Sequence, residues 1–171
     1  AIPGSETMQR TVWQESIRIA DAHNDPGRFT TLIGWEWSSI PAGANLHRVV
    51  VSDADARQAA EFQPFGLDDS PYPEDLWAWL DRTASETGVS FLAIPHNANI
   101  SKGYMFDTTT FRGEAMSAAY IAQRRRLEPI AEITQIKGDS ETHPALSPDD
   151  PFAEFEGYPH YIQRHVGPYT P

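Results

Sequence analysis

Glu36, His47 and His96 are the residues whose types and settings suggest metal chemistry. Glu36 lies near the end of an apolar run rich in β-branched and aromatic residues, between Trp35 and Trp37. A carboxylate there is costly to desolvate unless a cation or a donor meets it. It reads as a metal ligand or as one half of a salt bridge to an arginine. His47 opens the next apolar run, and His96 closes a third in Ala93-Ile-Pro-His-Asn97. Singly, each histidine is most simply a hydrogen-bonded structural residue. Together, one Glu and two His at strand ends form the mixed nitrogen and oxygen set that suits Zn, Mn or Fe.

A second cluster lies in Gln135-Ile-Lys-Gly-Asp-Ser-Glu-Thr-His-Pro144. Asp139, Glu141 and His143 are candidate ligands or acid/base groups, and Lys137 is placed to pair with a phosphate oxygen. The alternative is a Gly-Asp-Ser turn with a solvated acidic face. Arg48 and Asn45 flank His47, and Asn97 and Asn99 follow His96. They suit orienting ligands or holding substrate oxygens, and they also suit ordinary loops. Arg124-Arg-Arg126 reads as a solvated helix face. The chain has no Gly-rich phosphate loop, nucleophile elbow or His-Glu-x-x-His helix. With no cysteine, disulfides, zinc-thiolate sites and thiol nucleophiles are excluded together.

The elements that must position these groups follow from hydrophobic period and turn chemistry. Glu6 to His23 reads as an amphipathic helix stopped by Asn24-Asp-Pro-Gly27. Phe29 to Trp37 and Leu46 to Ser52 read as strands, with a loop around Pro41 and Gly43 between them. Asp53 to Ser70 is ambiguous, most simply a surface excursion. Pro73 begins a helix that runs to Thr87 and stops at Gly88. Val89 to Ile94 is a short buried strand, Ala115 to Arg126 a helix, and Pro129 to Ile136 another strand. Such alternation predicts one α/β domain over residues 1–171 with a largely parallel sheet, and the six prolines of 144–171 suggest a loosely structured tail. In such sheets active groups collect at the carboxyl ends of strands.

The bulk properties narrow the class. The chain has 171 residues, 40% of them hydrophobic, which fits one folded domain. Its net charge of -11 argues against a broad nucleic-acid surface. It permits a small phosphate substrate, because bound cations reverse the local field. No apolar run approaches the ~20 residues of a membrane span. The first ten residues lack the basic start and apolar middle of a signal peptide, and localisation, cytoplasmic or exported, stays open.

Three segments carry a resemblance: Ile33-Gly-Trp-Glu-Trp37, Asn45-Leu-His-Arg-Val-Val-Val51 and Leu92-Ala-Ile-Pro-His-Asn97. They are similar to the middle motifs of the PHP (polymerase and histidinol phosphatase) superfamily. From about Thr11 to Phe155 the chain more closely resembles a large bacterial PHP-like family, domain of unknown function 3604. Pro73-Glu-Asp-Leu-Trp-Ala-Trp-Leu80 and Ile133 to Pro144 are its most specific segments. The resemblance implies an incomplete or distorted (β/α)7 PHP-type barrel, with Glu36, His47 and His96 at ligand positions. It also implies phosphoester hydrolysis by a metal-activated hydroxide, with Arg48 or Lys137 neutralising a small phosphate-ester substrate. Amide or lactone hydrolysis on the same metals, or a non-catalytic binding domain, are the alternatives. The chain departs from the pattern in having no His-x-His motif, and Asp139 and His143 are four apart where Asp-x-His is expected. It therefore reads as an internal fragment whose exposed strand edges favour self-association.

Overall fold

The computed structural model describes residues 5–135, 138–139 and 148–153. Helix α1 spans Ser5–His23, β1 Ile33–Trp37, β2 Arg48–Ser52 and the one-turn α2 Ala56–Ala59. Helix α3 spans Pro73–Thr87, β3 Phe91–Pro95 and α4 Ala118–Leu127, and the short strands β4 (Thr134–Gln135) and β5 (Gly138–Asp139) follow. No helix among the described residues is long and apolar enough to cross a membrane.

The expected parallel barrel is not what forms. Among the described residues, β1, β2 and β3 make a three-stranded antiparallel sheet in that order, and β4 pairs with β5. The reason lies in the connections. Ser38 to His47 holds only a single 3-10 turn at Pro41–Gly43, whereas parallel neighbours need a crossover of about a dozen residues or more, usually with a helix. The longer excursion from β2 to β3 returns to the end of the sheet it left. Asp53 N donates to Ser90 O at 3.3 Å, and Ser90 N donates to Asp53 Oδ1 at 2.7 Å. β3 must therefore run against β2. The strand expected over 129–136 shrinks to Thr134–Gln135. The stretch just before it meets the main sheet's last strand through the bond from Glu132 N to Pro95 O, 2.9 Å.

The pleat sorts each strand by parity. With Trp37 opposite Arg48 and Arg48 opposite Pro95, one face carries Ile33, Trp35, Trp37, Val50, Ala93 and Phe91. That face takes the helices. Pro73 and Gly88 bound α3, Gly88 in the left-handed region at φ 73°. The spacing of Leu76, Trp77 and Leu80 then lays one stripe on Trp37, Leu46, Val50 and Ala93, all nearly inaccessible. A second cluster joins Trp13 and Ile17 of α1 to Ile33, Ala59, Phe62 and Val89. The presumed surface excursion is thus part of the core. Asp55 and Gln58 form a capping box that starts α2, and Ala59 O and Phe62 O both accept from Trp13 Nε1.

The other face carries Gly34, Glu36, Val49, Val51, Leu92 and Ile94, and Val49 is 37% exposed.

Candidate metal centre

Antiparallel pairing decides where the three ligand candidates meet. Glu36 is one residue from the end of β1, His47 immediately precedes β2, and His96 immediately follows β3. Because β2 runs against both neighbours, its start lies beside the ends of β1 and β3. Parity adds the second condition. Glu36, His47 and His96 alternate with the helix-facing Trp37, Arg48 and Pro95, so all three belong to the face opposite the helices.

The loops that deliver the histidines are braced against each other. Asn45 N donates to Ile100 O at 3.3 Å, and Lys102 Nζ donates to Ala42 O at 3.2 Å. Ala42 and Lys102 both sit at positive φ, 48° and 57°, a conformation that non-glycine residues adopt only when the surroundings hold them there. Fully buried Asn97 pins the backbone behind His96. Its Nδ2 donates to His96 O and to Gln135 Oε1, each at 3.0 Å.

Glu36 Oε1 is the hub. His47 Nδ1 lies 2.6 Å from it and His96 Nε2 3.4 Å from it. The imidazole centroids are 5.8 Å apart, and ligand atoms of the three residues all fall within 4.8 Å of one another. The Glu36 side chain is 47% exposed, while those of His47 and His96 are 13% and 12%. Burial is the largest single influence on the Glu36 carboxyl and pushes its pKa up. The His47 hydrogen bond, the charges of His47 and His96 and a bond from Ser38 together outweigh it and hold the carboxyl below its ordinary value. Glu36 is an anion at neutral pH.

His96 carries the clearest sign that something further belongs here. Its Nδ1 is buried with no hydrogen-bond partner among the described residues, and its Nε2 faces Glu36 at 3.4 Å, longer than an ordinary N–H···O bond. An imidazole bonded this poorly at both nitrogens is costly to bury. Two imidazole nitrogens and a carboxylate oxygen fit the donor set of Zn, Mn or Fe, and three protein ligands leave coordination positions open on the exposed side.

The remaining candidates do not join this group. Arg48 is 1% exposed on the helix-facing side. Its Nε donates to Glu128 Oε1 at 2.8 Å and its guanidinium also bonds Leu46 O. Trp77 Nε1 and Arg124 Nε share the same Glu128 carboxylate at 2.8 and 3.2 Å. This is a buried ionic knot, with no guanidinium left to meet a phosphate. Asp139 lies on β5 opposite Thr134, while Lys137, Glu141, His143 and most of the 144–171 tail lie outside the described residues. Arg124 and Arg126 are bound too, Arg126 to Asp81 at 2.7 Å, so the basic run is not simply solvated. Sequence inspection passed over Ser38, although its spacing of two from Glu36 places it on the same face of an extended strand.

Sheet and triad together define a small α+β domain, an antiparallel sheet with a Glu-His-His cluster at one end of the face opposite the helices. The chain belongs to the family described as Protein of unknown function (DUF3604), which it matches over residues 2–171. No curated protein and no solved structure matches it.

Proposed function

We propose that Glu36, His47 and His96 hold a divalent Zn, Mn or Fe ion of a hydrolase that cleaves phosphate esters, in the manner of the PHP superfamily that the chain resembles. The convergence of three ligand-type atoms within 4.8 Å, on the open face of the sheet, carries this reading. When bound, such an ion supplies Lewis acidity and a water acidic enough to be a nucleophile at neutral pH. Glu36 contributes the charged ligand and the two histidines neutral nitrogens. The sheet register holds all three without a change of fold, which keeps the site preorganised. In the net reaction water adds across the ester: a P–O bond forms to the water oxygen, the P–O bond to the alcohol breaks, and a proton passes to the departing alkoxide.

The test is metal content after dialysis against Zn, Mn or Fe, followed by hydrolysis of 4-nitrophenyl phosphate. Stoichiometric metal that drops at least about tenfold in Glu36→Gln and His96→Ala is expected. No metal in the parent protein, or the same amount in all three, overturns the proposal. An aryl amide and a lactone in the same panel separate phosphoryl from acyl chemistry.

The 2.6 Å bond between Glu36 and His47 favours one other reading. The cluster would then be a clasp tying β1 to β2, and Glu36→Gln would lower stability while no form of the protein binds metal.

A further inference from the structure

A cleft of about 940 Å³ runs between α1, β1 (an edge strand among the described residues) and the 63–69 loop, and Glu36 is one of its lining residues. Its size falls within the range of small-molecule sites. Its walls have a definite chemistry. Met8 and Val12 of α1 and Leu67 of the loop are 63%, 59% and 46% exposed, apolar surface left open to water beside the cleft. Trp35 forms part of the wall, its ring fixed by the bond from Nε1 to Phe65 O at 3.0 Å. Lining carboxylates are Glu6, Glu36, Asp68 and Asp69, and the cation among the lining residues is Arg10, already 3.8 Å from Glu6.

We infer that this cleft holds the alcohol portion of the ester, and that the alcohol is apolar and carries no negative charge, with a cationic group preferred. This rests on the proposed metal site. A cation bound at Glu36 would make the triad end positive, suited to the phosphoryl group. The same cleft is lined by Glu6, Asp68 and Asp69 and by aromatic and aliphatic side chains. An ammonium meets carboxylates there and aromatic side chains, whose attraction for cations grows as water is removed. A second anionic group meets like charge. The cleft therefore separates phosphate esters of hydrophobic or amine-bearing alcohols from those of acidic ones.

Binding of benzyltrimethylammonium and of benzenesulfonate, two aromatic probes of similar size and opposite charge, tests this on the whole chain. Titration calorimetry and tryptophan fluorescence are read on metal-free and Mn-loaded protein. The cation is expected to bind metal-free protein about tenfold more tightly than the sulfonate. Asp68→Lys and Val12→Lys, both at exposed positions outside the triad, should each remove most of that preference while circular dichroism stays unchanged. Equal binding of the two probes, binding of neither at millimolar concentration, or a preference untouched by both variants overturns the inference. His96→Ala keeps the two ideas apart. If it retains the probe preference while parent and variant bind no metal, the metal site fails alone. If the parent holds metal and shows no preference, the cleft fails alone.

Discussion

Glu36 and Arg48 sit one register step apart in the sheet, and the pleat sends them to opposite faces. That parity sets their fates. Glu36 stays half exposed between two imidazoles, whereas Arg48 is buried against Glu128. A buried ion pair adds little net stability, but breaking one strands a charge. Arg48→Met should therefore cost about 3 kcal/mol in urea unfolding, and Glu128→Leu, which also leaves Trp77 Nε1 and Arg124 without their acceptor, should cost at least as much. Gly34 is the other residue with a narrow tolerance. A Cβ there would lie 2.3 Å from Val50 O, so Gly34→Ala must push β1 from β2. It should destabilise by about 1–3 kcal/mol and loosen the triad that these strands align, seen as a fall in metal content. The triad could be anticipated from residue types at strand ends. The commitment of Arg48 could not, because its partner lies far along the chain, past β3 and α4.

At the scale of elements, α4 shows what a sequence pattern can hide. Its apolar residues mark no strong stripe, and Leu127 is its buried residue. Polar links dock it instead. Asp81 of α3 accepts from Gln123 and Arg126, each at 2.8 Å, and Tyr120 meets Trp77 edge to face at 5.0 Å. The Arg126 bond is the main cause that holds the Asp81 carboxyl below its ordinary 3.8. Burial opposes it, and Gln123 and the Arg126 charge add to the lowering. A depressed carboxyl stabilises the fold above its unfolded value, and that contribution is lost as pH falls through the folded value. Asp81→Asn should thus lower the urea midpoint at about pH 6, and the gap from the parent should narrow at about pH 3.

For the whole molecule, the dominant feature is a sheet face that no helix covers among the described residues. Helices cover one side, while the other presents Val49, Val51, Leu92 and Ile94 beyond the triad, and β1 and β3 are edge strands among the described residues. Unpaired edges beside an apolar face favour strand addition or stacking between copies, which a charge of -11 opposes at low salt. Sedimentation velocity should show association that grows with protein concentration and with salt. Val49→Lys, a charge placed on that face, should shift the population to monomer. A monomer at every concentration and salt would refute this association.

The sequence by itself determined the local elements: α1 and α3 with their stops, three apolar strands, and a Glu and two His at strand ends. Those follow from period, propensity and caps, which act over a few residues. Strand direction was not local. The alternation of helix and strand suggested a largely parallel sheet, but a short β1–β2 link and an excursion that returned to its starting end made the sheet antiparallel. Only the tertiary structure decided that Trp13 would recruit the 59–62 stretch into the core and that Arg48 would turn inward to Glu128. It also decided that Glu36, His47 and His96 would share one face. The antiparallel register places the start of one strand against the ends of two others, and a linear pattern of hydrophobicity does not encode that pairing.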